Sequence, residues 1–170
     1  METGFPPIID SNSRVLILGS MPSVKSLQQQ EYYGHPQNAF WWIMGELFGA
    51  HQNKAYRLRQ QILREQGIAV WDVIHQCHRA GSLDSAIDAK TVVANDFANT
   101  IFKPYHIKCI FFNGKSVEGL FKRYVIKAGQ LNSDVIAMHT LPSTSPANAR
   151  LKREEKLEIW RQHLLPVLKS

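Results

Sequence analysis

Cysteine is nearly absent from this chain of 170 residues, with Cys77 and Cys109 the only two. They lie far apart and form no C-x-x-C pair, so both are read as reduced thiols rather than as a disulfide framework or redox pair. Long apolar runs are missing too. None approaches the roughly 20 residues that a membrane-crossing helix needs. The opening residues, Met1-Glu2-Thr3-Gly4-Phe5-Pro6-Pro7, hold neither a basic segment nor an apolar one. No export signal is expected, and the protein is placed in the cytoplasm. Acidic residues are in the minority, 14 against 20 Lys and Arg, for a formal net charge of +6. Such a surface favours polyanions through phosphate contacts, which is weak evidence by itself. The phosphate loop G-x-x-x-x-G-K-[ST] is absent, which argues against nucleotide hydrolysis, and G-x-G-x-x-G is absent as well.

What is present reads as one ordinary globular domain, residues 1–170, without repeats, low-complexity stretches or long linkers. Apolar runs at 14–18, 68–71, 107–112 and 135–139 read as strands. Helical patterns cover 38–48, 54–66, 96–102, 116–127 and 153–165. Strands alternating with helices predict a three-layer α/β/α fold around a short, mostly parallel sheet of four strands. The stretch 75–92 fits neither pattern and is expected to contain loop.

Two segments carry most of the chemistry. The first follows the strand Val15-Leu16-Ile17-Leu18 and reads Gly19-Ser20-Met21-Pro22-Ser23, leading to Tyr32-Tyr33-Gly34-His35-Pro36-Gln37-Asn38-Ala39-Phe40-Trp41-Trp42. The second follows Val135 to His139 and reads Leu141-Pro142-Ser143-Thr144-Ser145-Pro146-Ala147-Asn148. Both place hydroxyls, prolines and amides where a strand ends, which is where ligands bind in open α/β sheets. The first segment is also rich in aromatic rings, and a flat ring beside a cleft is a platform for a nucleobase. Asn38 both donates and accepts hydrogen bonds, so it suits holding a water or reading a base edge, and it equally suits capping a helix. Trp41 and Phe48 read as core. Asp72 follows a strand and is either a general base reaching the cleft or the cap of the next turn. Arg150, Lys152 and Arg153 are candidate phosphate contacts. Lys122-Arg123 reads as solvated surface. His75-Gln76-Cys77-His78 offers too few ligands for zinc and no second cluster accompanies it, so no metal is expected.

Taken together these motifs resemble the uracil-DNA glycosylase superfamily. His35-Pro36-Gln37-Asn38-Ala39-Phe40-Trp41 is similar to the H-P-x-N-x-F-W segment of its mismatch-specific and hypoxanthine-specific branches. Gly19 to Ser23 and Leu141 to Asn148 stand where the family has its first and second motifs. Ile68 to Ile74 and Phe111-Phe112-Asn113-Gly114-Lys115 fall between them in order, so the likeness covers nearly the whole chain. Two departures set it apart from the uracil-specific members. Met21 stands at the place of their catalytic Asp or Asn, and Leu141 at the place of the His or Asn that heads their second motif. The hypoxanthine branch also lacks the first-motif polar residue.

The resemblance implies a metal-free, cofactor-free, monofunctional DNA glycosylase, acting as a monomer on double- or single-stranded DNA with deaminated bases, hypoxanthine first. Asn38 is implied as the catalytic residue, helped by Ser20 and the Met21 amide. Phe40 is implied as the ring beneath the flipped base, with Tyr33 and Asp72 also at the base. Ser23, Ser143, Thr144, Ser145, Arg150 and Lys152 are read as DNA contacts. A uracil or xanthine glycosylase, or a non-catalytic DNA-binding member of the fold, is the alternative.

Overall fold

The computed structural model describes residues 1–170. Seven strands form, β1 (Glu2–Thr3), β2 (Val15–Gly19), β3 (Ile68–Asp72), β4 (Ile74–Cys77), β5 (Val93–Ala94), β6 (Cys109–Asn113) and β7 (Ala137–Leu141). Four of them make one parallel sheet in the order β3-β2-β6-β7. Every residue of β2, β3 and β6 is buried, so both faces of the sheet are covered, as parallel sheets require. β7 forms the edge and leaves most of its residues at least partly exposed. The three-layer α/β architecture and the four parallel strands agree with the expectation.

The helices are α1 (Val24–Gln29), α2 (Phe40–Phe48), α3 (Tyr56–Glu65), α4 (Lys115–Phe121) and α5 (Arg153–Lys169). α2 stops at Gly49, whose φ of 82° is the left-handed cap that glycine adopts without strain. α4 runs on as a π-helical turn to Ile126, and residues 98–102 form a second such turn. One core of 32 buried residues joins the sheet to α2, α4 and α5, with Trp41, Phe111 and Trp160 fully enclosed.

Three local expectations shift. The last two strands lie about two residues further along the chain than the apolar runs suggested. The ladder sets their start, because Val15 pairs with Cys109 and Cys109 with Ala137. Val135, expected within the strand, is 69% exposed. The stretch 75–92 contains loop and also β4, which pairs antiparallel with β1 and with β5 in a second, three-stranded sheet. The short helix α1 was not foreseen.

The order β3-β2-β6-β7 has a functional consequence. The chain crosses from β2 to one side, then returns to the other side to add β6. The crevice beyond the carboxyl ends of β2 and β6 is therefore the switch point, the favoured ligand site of such sheets.

Candidate active site

β2 ends at Gly19, and the reason is steric. A Cβ there would lie 2.5 Å from Asp72 Oδ1 and 2.9 Å from Tyr33 Oη. Only glycine leaves room for both groups. Ser20 then donates its hydroxyl to Asp84 Oδ1 at 2.6 Å, while the other Asp84 oxygen accepts from Ser116 Oγ beyond β6. Met21 is buried beside Ile74 and Cys77, and its N–H donates to no group of the protein. Ser23 caps α1 by accepting from the Ser26 N–H at 3.1 Å.

Tyr33 sits in the left-handed region at φ 53°. Its ring stacks on Phe40, centroids 4.1 Å apart and planes inclined by 30°. Phe40 is wholly buried and also meets the edges of Trp41 and Trp160. The reading of Phe40 as the ring directly beneath a base is corrected here: Tyr33 already covers it, and only Tyr33 of the pair lines the cavity. Asn38 Oδ1 accepts the Phe40 N–H at 2.9 Å, one residue ahead of Ala39, which is the N-cap of α2. The Asn38 Nδ2 donors have no protein partner and stand beside the cavity.

The second loop is held from two sides. Asn113, at the end of β6, accepts the Thr144 N–H and donates to Thr144 Oγ1, both at 2.9 Å. The Thr144 carbonyl accepts from the Ala39 N–H, which ties this loop to the start of α2. From α5, Trp160 Nε1 donates to the Pro142 carbonyl at 2.9 Å. The ammonium of Lys156 donates to the carbonyls of Asn148 and Ser145, at 2.8 and 3.3 Å. Leu141 belongs to the core as the last residue of β7, 2% exposed.

These pieces enclose a cavity of about 590 Å³ at the switch point. Ser20, Met21, Ser23, Tyr33, Asn38 and Asp72 line it from one side. Ser143, Thr144 and Ser145 line it from the other. Arg150 and Lys152 do not reach it, and both stay exposed at the approach to α5. They stand outside the cavity, on the surface just beyond the second loop.

Asp72 and Tyr33 dominate the electrostatics. Burial, reinforced by the charge of Asp84 and only partly offset by Arg79, pushes the Asp72 carboxyl up to about 7. Burial and the nearby Asp72 likewise drive the Tyr33 phenol upward. Asp72 Oδ2 and Tyr33 Oη are buried and have no hydrogen-bond partner in the protein. Two orphaned polar atoms in one cavity wall cost stability, and such groups are a mark of functional sites. No three His, Cys, Asp or Glu side chains gather as a metal cluster. His75 and His78 face solvent on and beside β4, while Cys77 turns inward.

The family model described as the uracil DNA glycosylase superfamily matches residues 6–165. The chain belongs to the uracil DNA glycosylase superfamily. Two curated relatives, each named hypoxanthine DNA glycosylase, are 34% identical. The one from Methanosarcina acetivorans matches over 93% of this chain and 95% of its own, and the one from Methanosarcina barkeri over 91% and 93%. A solution NMR structure of a Methanosarcina acetivorans protein, described as a candidate uracil DNA glycosylase, is similar with a TM-score of 0.71. It is 31% identical and covers 99% of this chain and 98% of its own.

Within this superfamily member, sequence reasoning missed Asp84, Asn113, Ser116 and Lys156. Asp84 lay in the unassigned stretch. Asn113 stands in a segment that resembles the family, but nothing in the sequence gives it a role at the site, and Lys156 lies in the pattern of the closing helix. Leu83, 57% exposed on the cavity rim, also went unnoticed because its loop gave no periodic signal.

Proposed function

We propose that this protein is a monofunctional DNA glycosylase that extrudes a deaminated purine, hypoxanthine first, and hydrolyses its N-glycosidic bond to begin base excision repair. The observation that carries this reading at the site is the unpartnered buried pair, Asp72 Oδ2 and Tyr33 Oη, in the wall of the switch-point cavity. A base inside a duplex cannot meet such groups, so the nucleotide must leave the stack at a cost of a few kcal/mol. The hydroxyls of Ser143 and Ser145, which accept from loop amides and keep their own O–H groups to donate, suit the phosphates flanking the lesion.

Bond cleavage leaves positive charge on the sugar and electrons on the departing base. In its acid form Asp72 donates a proton to an acceptor of that base as the C1′–N bond breaks, and the carboxylate left behind stabilises the sugar cation. Water then bonds to C1′ and gives its proton to that carboxylate, which restores the acid. Asn38 Oδ1 already accepts the Phe40 N–H, which leaves the unpartnered Nδ2 group to donate to the base. That group donates to the O6 carbonyl of hypoxanthine and meets the N6 amino group of adenine, itself a donor, unfavourably. The protein acts as a single-domain monomer and needs no metal.

The deciding experiment is base release from duplexes carrying one inosine, uracil or xanthine, with EDTA present. Alkali-labile cleavage is expected with inosine foremost. Asn38→Ala is expected to slow release roughly 10²–10³-fold, the effect of losing one transition-state donor, while DNA binding is retained. An unchanged rate removes Asn38 from the mechanism. Binding without release from any duplex favours the non-catalytic alternative.

A further inference from the structure

A second cavity, about 630 Å³, adjoins the first. Asn38, Thr144 and Pro146 face both, so these residues form the partition between the two. Its wall holds no carboxylate. Lys156 is 4% exposed, yet its ammonium has only two carbonyl partners and no acidic one. A buried cation without a counterion is costly, and burial already lowers its pKa. Arg153 places its guanidinium 4.3 Å from the ring centre of Trp42, with only an exposed, side-by-side pairing to Glu154 at 3.4 Å. His51 completes the wall, and the fold makes room for it. Its ring lies against Gly45 of α2, where any Cβ would collide.

From this geometry we infer that the second cavity is a subsite for the nucleotide adjoining the extruded one, its phosphodiester countering Lys156 and Arg153 and its base meeting the Trp42–Arg153 stack. The inference rests on the glycosylase reading of the first cavity. An anion supplies the counterion that Lys156 lacks, and an aromatic–guanidinium pair accepts a base face of any sequence. The shared partition makes the two sites consecutive along one strand. The ligand is therefore a strand rather than a free anion.

The test combines salt titration with truncated substrates. Affinity for an inosine duplex is measured by fluorescence anisotropy against salt for the wild type, Arg153→Gln, Lys156→Met and Trp42→Leu. Loss of one phosphate contact is expected to lower the slope of log K against log salt by about 1 for Arg153→Gln and for Lys156→Met. Trp42→Leu is expected to weaken binding without changing the slope. Two further duplexes end the lesion strand immediately 5′ or 3′ of the inosine. On one of the two, the ratio of wild-type to Arg153→Gln affinity is expected to collapse to near 1. A ratio unchanged on all three duplexes, an unchanged slope, or blockage by inorganic phosphate alone overturns the subsite. Arg153 is exposed, so its replacement does not threaten folding as Lys156→Met does. Base release by the wild type is scored separately. Its absence refutes the glycosylase reading, while the slopes still decide the subsite.

Discussion

Asp72 shows how one residue combines catalytic readiness with a folding penalty. Its carboxyl is buried, beside Asp84, with one oxygen unpartnered, and it titrates near 7. The folded pKa lies above the unfolded value, so the folded state holds the proton more tightly. Stability from this group is greatest at acid pH and falls as pH rises toward 7. Asp72→Asn is therefore expected to raise Tm, by the equivalent of about 1–3 kcal/mol, with a larger gain at pH 8 than at pH 5.5. The same change is expected to slow base release roughly 10²–10⁴-fold. In the wild type, single-turnover release is expected to decline as pH rises through about 7. Asp72→Asn should erase that inflection, and a rate that rises with pH would assign Asp72 the role of base instead. Sequence alone placed Asp72 at a strand end but could not distinguish cleft from cap. The distinction depends on Gly19, which lets the carboxylate approach β2, and on Asp84 arriving from a loop with no periodic pattern. Phe40 illustrates the opposite case. Its motif context was plain, yet only packing reveals that Tyr33 covers its face.

Among elements, α5 does more than close the fold. Trp160 and Lys156 lie one helical turn apart on its inner face and grip opposite ends of the second loop. Trp160→Phe keeps the ring packing but leaves the Pro142 carbonyl unpartnered. Thermal unfolding should show a loss of about 1 kcal/mol, and kinetics should show a raised KM with kcat little changed. A kcat loss of equal size would mean the loop acts in the transition state. The helices were legible because their apolar spacing is strong and Gly49 and Gly67 mark their ends. β1, β4 and β5 were not, because their pairing joins Glu2–Thr3 to residues 76–77 and no local pattern records such distant partners. Arg59 was likewise read as part of a polar helix. It is 4% exposed, over the faces of Trp41 and Tyr56, which no charge count foretells.

At the scale of the whole molecule, the parallel sheet was the most legible feature. Four apolar runs separated by helical patterns leave few alternatives to a covered parallel sheet. The strand order, and hence the place of the cavity, came only from the pairing of β2 with both β3 and β6. The site draws on one chain alone, since both loops, Asp72 and Asn113 meet within it. Sedimentation of the free protein and of its inosine–DNA complex is accordingly expected to give one chain in each. A dimer in the complex would require a revised account of the second cavity.

The cavity's two halves come from opposite ends of the sequence, and this bears on how the protein is made. A ribosome delivers the first motif early, at roughly 5–20 residues per second, long before β7 and α5 exist. Until Thr144 reaches Asn113 and Lys156 reaches the second loop, the orphaned groups of Asp72 and Tyr33 have no enclosure. A chain that has not yet reached α5 therefore holds the first motif without the wall that completes the cavity.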